Sequence, residues 1–150
     1  MISVIVSASE DTAALSALLS ALVPAAADGL VREVKVLGAE GSAAEVADDA
    51  GASLYPLDGF VAAIAAARGP WLAGLPLEAR LRPDWMATVA AHVALAPAPA
   101  RLVAAGFGVA RGPRGWLAPK ALAPSASAVE EDFQRLARRS GRRLRVFERR

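Results

Sequence analysis

The sequence contains no cysteine, one histidine and one tyrosine, and each scarcity removes a class of chemistry. Without thiols there is no disulfide framework, no thiolate-bound zinc and no cysteine nucleophile. With a lone imidazole, a metal would have to be held by carboxylates, which suits Mg or Mn better than Zn. Long apolar runs are missing as well. No stretch approaches about 18 apolar residues without a breaker or a charge, so no membrane span is expected. The opening residues, Met1-Ile2-Ser3-Val4, have no basic region ahead of their apolar run and do not read as a secretory signal. A cytoplasmic protein is the expectation. Neither a Walker lysine motif nor the glycine spacing of a dinucleotide fingerprint occurs, which argues against P-loop enzymes and nicotinamide dehydrogenases.

What is present is alanine, 37 of the 150 residues, within a hydrophobic fraction of 55% and a mean hydropathy of +0.36. This composition excludes general disorder, and the length suits one domain spanning 1–150. Alanine supplies little core volume, so Leu, Val, Ile and the eight aromatic residues must fill the interior. The net charge of +2 hides an uneven distribution. Residues 1–84 carry 11 acids against 5 bases, whereas 85–150 carry 12 bases against 4 acids. Eight arginines fall between Arg135 and Arg150. No aromatic residues interleave with the arginines as a base-stacking surface requires, so a solvated helix face and a basic C-terminal strand or tail at about 142–150 are favoured over nucleic-acid binding.

Strand and helix signals alternate. Ile2–Val6 is a β-branched run of buried-strand character. Glu10 and Asp11 open a helix whose Leu15, Leu18, Leu19 and Leu22 share one face, and Pro24 is expected to end it. Val34–Leu37 predicts a second strand, and Ser42-Ala43-Ala44-Glu45 reads as a capping box opening a helix closed by Gly51. A short strand at 52–55, an Ala-rich helix at 60–68 and a strand at 71–75 follow. Pro83 precedes a helix carrying Trp85, Val89 and Val93. Strands are expected at 101–107 and 116–118. A second capping box, Ser127 to Glu130, should open a helix ending at Gly141, and Leu144, Val146 and Phe147 suggest a last strand. This alternation predicts an α/β fold, a mainly parallel sheet with helices on both faces.

In open α/β sheets, ligands bind beyond the carboxyl ends of the strands, here around Ser7–Glu10, Gly38–Gly41, Leu75–Glu78 and Gly106–Gly108. His92 lies mid-helix among apolar neighbours and reads as a structural residue. Asp84 and Asp132, each at a helix start, are most simply acids complementing a helix dipole.

Several segments in order resemble family 2 glycosyltransferases of the GT-A, Rossmann-like fold. These are Ile2–Val6, the helix from Ser42 with Gly51-Ala52, Ala66-Ala67-Arg68-Gly69-Pro70-Trp71-Leu72, and Arg82-Pro83-Asp84-Trp85. The late helix Glu131-Asp132-Phe133-Gln134-Arg135-Leu136, running on to Arg139-Ser140-Gly141-Arg142, looks like that family's Glu-Asp segment. The resemblance implies inverting transfer of a hexose from a nucleotide-sugar donor, with Mn or Mg at an Asp-x-Asp. It implies Asp132 as general base, Glu78 as metal ligand, and Ser7, Ser9, Glu10 and Glu40 as donor contacts. The sequence departs from the pattern at the Asp-x-Asp, which reads Pro76-Leu77-Glu78, and at Gly38, where the family places an acid. The metal and donor site is therefore expected to be reduced, with Mn or Mg beside a nucleotide-sugar or no cofactor at all. The alternative is a non-catalytic binding or assembly module, a homo-oligomer presenting apolar surface around Trp71, Trp85 and Trp116 and an exposed edge from the Pro-flanked segments 96–100 and 112–124.

Overall fold

A computed structural model describes residues 1–95, 98–105, 113–123 and 129–148. Seven strands form one sheet: β1 (Ile2–Ser7), β2 (Val31–Leu37), β3 (Ser53–Tyr55), β4 (Trp71–Gly74), β5 (Ala100–Ala104), β6 (Gly115–Pro119) and β7 (Arg143–Phe147). The helices are α1 (Thr12–Ala27), α2 (Ser42–Asp49), α3 (Phe60–Ala65), α4 (Trp85–Leu95) and α5 (Glu130–Arg139). The spatial order is β3-β2-β1-β4-β6-β5-β7. β6 runs antiparallel to both β4 and β5, and the other pairs are parallel. The expected mainly parallel α/β sheet is what the chain forms.

Side-chain alternation along each strand divides the core into two layers. Ile2, Val4 and Val6 of β1 pack with Leu15, Leu18 and Leu22 of α1 and with Trp85 and Val89 of α4. Ile5, Leu37, Leu72 and Trp116 face the other way, onto Phe60 and Ile64 of α3 and Phe133 and Ala137 of α5. Both faces are covered, which is why Val4, Val36 and Leu72 on interior strands are wholly buried. The ring of Trp116 stacks on Phe133 at 4.6 Å between centroids, and Phe60 meets both edge-on.

Several expectations need correction. The three tryptophans are core residues, exposed by 7% at Trp71, 6% at Trp85 and 1% at Trp116, so they offer no apolar surface. Among the described residues β5 and β6 are interior strands and the sheet's edges are β3 and β7, so the strand parts of those segments, Ala100 and Gly115–Pro119, are not at an edge. Pro24 does not end α1. The proline lies in the last turn, and its own carbonyl still accepts from Asp28 N–H, so alanines carry the helix to Ala27. Nor does Ser42 cap α2. Gly41, at φ +53°, takes that position, and the Ser42 hydroxyl pairs with Thr12 Oγ1 at 3.2 Å. Positions 106–112 and 124–128, which include the expected Ser127 cap and the expected strand end at Gly106–Gly108, lie outside the described residues. His92 is structural as expected: its ring meets Trp71 edge-on and Nε2 donates to the Ala98 carbonyl at 2.8 Å.

Candidate functional site

The carboxyl ends of β1 and β4 lie side by side in the parallel pairing, and Leu75 N–H continues the ladder by donating to the Ile5 carbonyl. Beyond them the chain must leave the sheet. After β1, the Ser9 hydroxyl accepts from Asp11 N–H, and Asp11 then caps α1 by accepting from Ala14 N–H at 2.9 Å. After β4, a tight turn closed by Ala79 N–H on the Pro76 carbonyl carries Glu78 outward. These two exits frame an open cleft of about 360 Å³ lined by Ser7, Ser9, Asp11, Leu77, Glu78 and Glu130, among others. A second groove of about 540 Å³ shares Ser9 and runs past Glu10, Gly38, Glu40 and Ser42.

The structure thus brings Ser7, Ser9 and Glu78 to one cleft, and Ser9, Glu10 and Glu40 to the adjoining groove. Asp132 lines neither among the described residues. At the third position of α5, one carboxylate oxygen accepts from Val129 N–H at 3.1 Å and the other from Arg135 Nη1 at 3.2 Å. That is a helix-capping geometry. Two acids of the cleft lie outside the residues the resemblance singles out, Asp11 and Glu130. Glu130 accepts from Trp116 Nε1 at 3.3 Å, which anchors the start of α5 over β6. A sequence signal for it exists: Glu130 precedes Phe133 by three residues and so shares the helix side that meets the sheet.

Charge in this region is of one sign. Asp11, Glu78 and Glu130 line the cleft, Glu10 and Glu40 line the groove, and no lysine or arginine is among the described lining residues. A helix N-terminus is ordinarily an anion site, and at α1 the Asp11 carboxylate already takes the Ala14 amide. A resident dication does not fit this donor set. A hard ion wants about six oxygens, and among the described residues no group of three or more His, Asp or Glu side chains could hold one.

No family model matches the sequence, and no curated protein matches it. Solved structures do match in shape. Glucosyl-3-phosphoglycerate synthase from Mycobacterium tuberculosis aligns with 100% of this chain and 72% of its own, at 17% identity and a TM-score of 0.65. The chain has a GT-A-like fold. The same synthase in complex with Mn2+, UDP and glucosyl-3-phosphoglycerate aligns with 91% of this chain and 66% of its own, at 18% identity and a TM-score of 0.63. Mannosyl-3-phosphoglycerate synthase from Rubrobacter xylanophilus aligns with 82% of this chain, at 15% identity and a TM-score of 0.63. The present chain spans 54% of that protein's length. No helix among the described residues is long and apolar enough to cross a membrane.

Proposed function

We propose that this chain is a glycosyltransferase-like protein that binds a nucleotide-sugar in the cleft beyond β1 and β4 and transfers its hexose, with inversion, to an acceptor hydroxyl. The observation that carries this reading is the meeting of Ser7, Ser9 and Glu78 from two strand ends with Glu130 from α5 on one open cleft. The cleft lies at the carboxyl edge of a GT-A-like sheet, the edge where open α/β folds place their ligands. Solved proteins of this fold include one complexed with Mn2+ and UDP.

The roles follow from what each group can do. Ser7 and Ser9 offer hydroxyls to a sugar or phosphate, and Glu10 and Glu40 line the groove where the nucleoside would lie. Glu78 is the one acid in Pro76-Leu77-Glu78, where the resemblance expects an Asp-x-Asp, and the reading therefore carries a reduced donor site. In the transfer itself, the acceptor oxygen bonds to the anomeric carbon as the bond from that carbon to the phosphate oxygen breaks. The hydroxyl proton passes to a carboxylate, and the nucleoside diphosphate leaves with the bonding pair. Asp132 is the base that the resemblance implies, and Glu130 is the acid that the cleft touches.

Titration calorimetry with UDP-, GDP- and dTDP-sugars in the presence of Mn2+ tests donor binding; absence of heat with all three would remove the reading. For the base, Asp132→Asn and Glu130→Gln are compared by release of nucleoside diphosphate. Loss of the base lowers the rate by roughly 10²-fold or more while donor binding is retained. Equal, small effects from both substitutions would remove both residues from that role.

A further inference from the structure

The two ends of the sheet carry opposite charge. Residues 36–67, which build α2, β3 and α3, hold five acids and no lysine, arginine or histidine. Residues 133–147, which hold most of α5 and all of β7, carry six arginines and no acid. Among the described residues β3 and β7 are the outermost strands, six spacings or about 29 Å apart. That exceeds the screening length of about 8–10 Å at physiological salt, so neither end neutralises the other within one chain.

Connectivity sets both charges at the same edge of the sheet. α2 crosses from the carboxyl end of β2 to the start of β3, so Asp48 and Asp49 in its last turn lie at the amino edge. There Ala52 N–H donates to the Ala47 carbonyl. α5 likewise delivers the chain to the start of β7, where Arg101 N–H donates to the Arg142 carbonyl. Because β6 alone is reversed, β7 runs in the same direction as β3. Arg138, Arg139, Arg142 and Arg143, all exposed, therefore also lie at the amino edge. The β3 end adds exposed apolar side chains, Leu54, Leu57 and Val61. At the β7 end, Arg82 N–H donates to the Val146 carbonyl and Glu148 N–H to the Arg80 carbonyl, which covers the later half of the strand, away from Arg143.

We propose that the β3 end of one copy of this chain docks against the β7 end of a second copy. Copies set in line keep every strand direction, so Asp48 and Asp49 of one meet Arg142 and Arg143 of the next at the shared amino edge, and Leu54 leaves water. A polyanion would match the arginines but leave the acidic, apolar β3 end without a partner; a second copy matches both. The two docking surfaces differ, so each contact leaves one end free and the association repeats. The inference stands on the two ends of the sheet and not on the proposed transfer reaction.

The test is sedimentation and light scattering of the full chain from about 10 μM to 1 mM, the range in which small contacts associate. At low salt the mean mass should climb from 15.4 kDa past that of a dimer, and it should fall back at about 0.5 M salt. Asp48→Lys with Asp49→Lys, and Arg142→Glu with Arg143→Glu, should each weaken association about 10-fold or more at unchanged Tm. Lysines at the end of α2 also suit its dipole. Mixed one to one, the two variants should associate again, because each retains the end that the other lacks and the reversed ends attract. Should the arginine pair variant melt early, Arg142→Glu alone, in the turn ahead of β7, carries that arm. A native chain that stays monomeric, association that survives both reversals, or a mixture that stays monomeric would overturn the proposal. A mass that stops at a dimer would overturn it too, in favour of a two-fold contact. So would a monomeric native chain that binds a duplex oligonucleotide with steep salt dependence, which would assign the basic end to polyanions.

Discussion

Glu33 is the point where charge chemistry and fold stability meet, and its removal has a calculable effect. Its side chain, 7% exposed, sits under the loop between α3 and β4. One carboxylate oxygen accepts from Ser3 Oγ at 2.7 Å and from Arg68 N–H at 2.6 Å; the other faces Arg68 Nε at 3.2 Å and Lys35 Nζ at 3.4 Å. Ser3 Oγ in turn accepts from Gly69 N–H, and Lys35, buried itself, donates to Tyr55 OH. Burial alone would raise the Glu33 carboxyl. The hydrogen bonds from Arg68 N–H and Ser3, the Lys35 charge and the Arg68 guanidinium outweigh it and hold the group at about 2 against an ordinary 4.5. At neutral pH that difference is worth about 3 kcal/mol.

Because the folded value is the lower one, this stability is present above pH 4.5 and is lost as the pH falls towards 2. By pH 3, about 2 kcal/mol of it is gone. Glu33→Gln keeps an acceptor for Ser3 and Arg68 but leaves Lys35 without its counter-charge. It should cost about 3 kcal/mol at pH 7, a fall in Tm of about 6–12 °C. The gap between native and variant chains should then narrow to about 1 kcal/mol at pH 3. Urea denaturation at the two pH values measures it. A gap that stays constant from pH 7 to pH 3 would refute the assignment of this stability to the Glu33 charge.

Gly74→Ala should destabilise by about 1–3 kcal/mol and perturb the near-ultraviolet circular dichroism of tryptophan, because a Cβ there overlaps the indole of Trp116. Native-like dichroism and stability in this variant would show that the indole is free to move. Millimolar Mn2+ without nucleotide should leave Tm within about 1 °C, since Glu78 cannot enclose a dication that wants about six oxygens. A large rise would reveal ligands that the described residues do not show.

The α/β sheet was legible in the sequence because its signals were redundant. Ile2–Val6 is a short β-branched run followed by small polar residues, the profile of a buried strand, and the Leu15–Leu22 face needs a sheet to cover. The errors came where one local rule met tertiary context. Ser42 followed by Glu45 matches a capping box, but Gly41 can adopt the positive φ that shifts the helix start by one residue. The tryptophans looked available for a partner because side-chain identity says nothing about which residue fills the space over a glycine; Gly74 leaves room for Trp116. The candidate site was half legible. Ser7, Ser9 and Glu78 follow strand ends, whose position the topology fixes. The spacing of Glu130 to Phe133 gives its helix side, but its partner, Trp116 Nε1, lies 14 residues away on a strand whose antiparallel placement no local pattern announces.

Helix α5 links the two polar regions of the molecule. Its first turn holds Glu130, Glu131 and Asp132 and its last holds Arg138 and Arg139, the arrangement that a helix dipole favours at each end. Ten residues at 1.5 Å each make it about 15 Å long, so one rigid element presents an acid to the cleft at one end and carries arginines at the other. What fixes its position is apolar: Phe133 stacks on Trp116, and Ala137 is small enough to let the backbone lie close to the sheet. Trp116 in turn lies where Gly74 has no side chain. A displacement of that indole would therefore move Glu130 and Arg138 together, whereas loss of the Glu33 network at the opposite side of β4 would loosen the α3–β4 loop and leave α5 in place. Effects of Gly74→Ala on both polar regions, set beside their absence in Glu33→Gln under native conditions, would separate the two halves of the sheet as independent mechanical units.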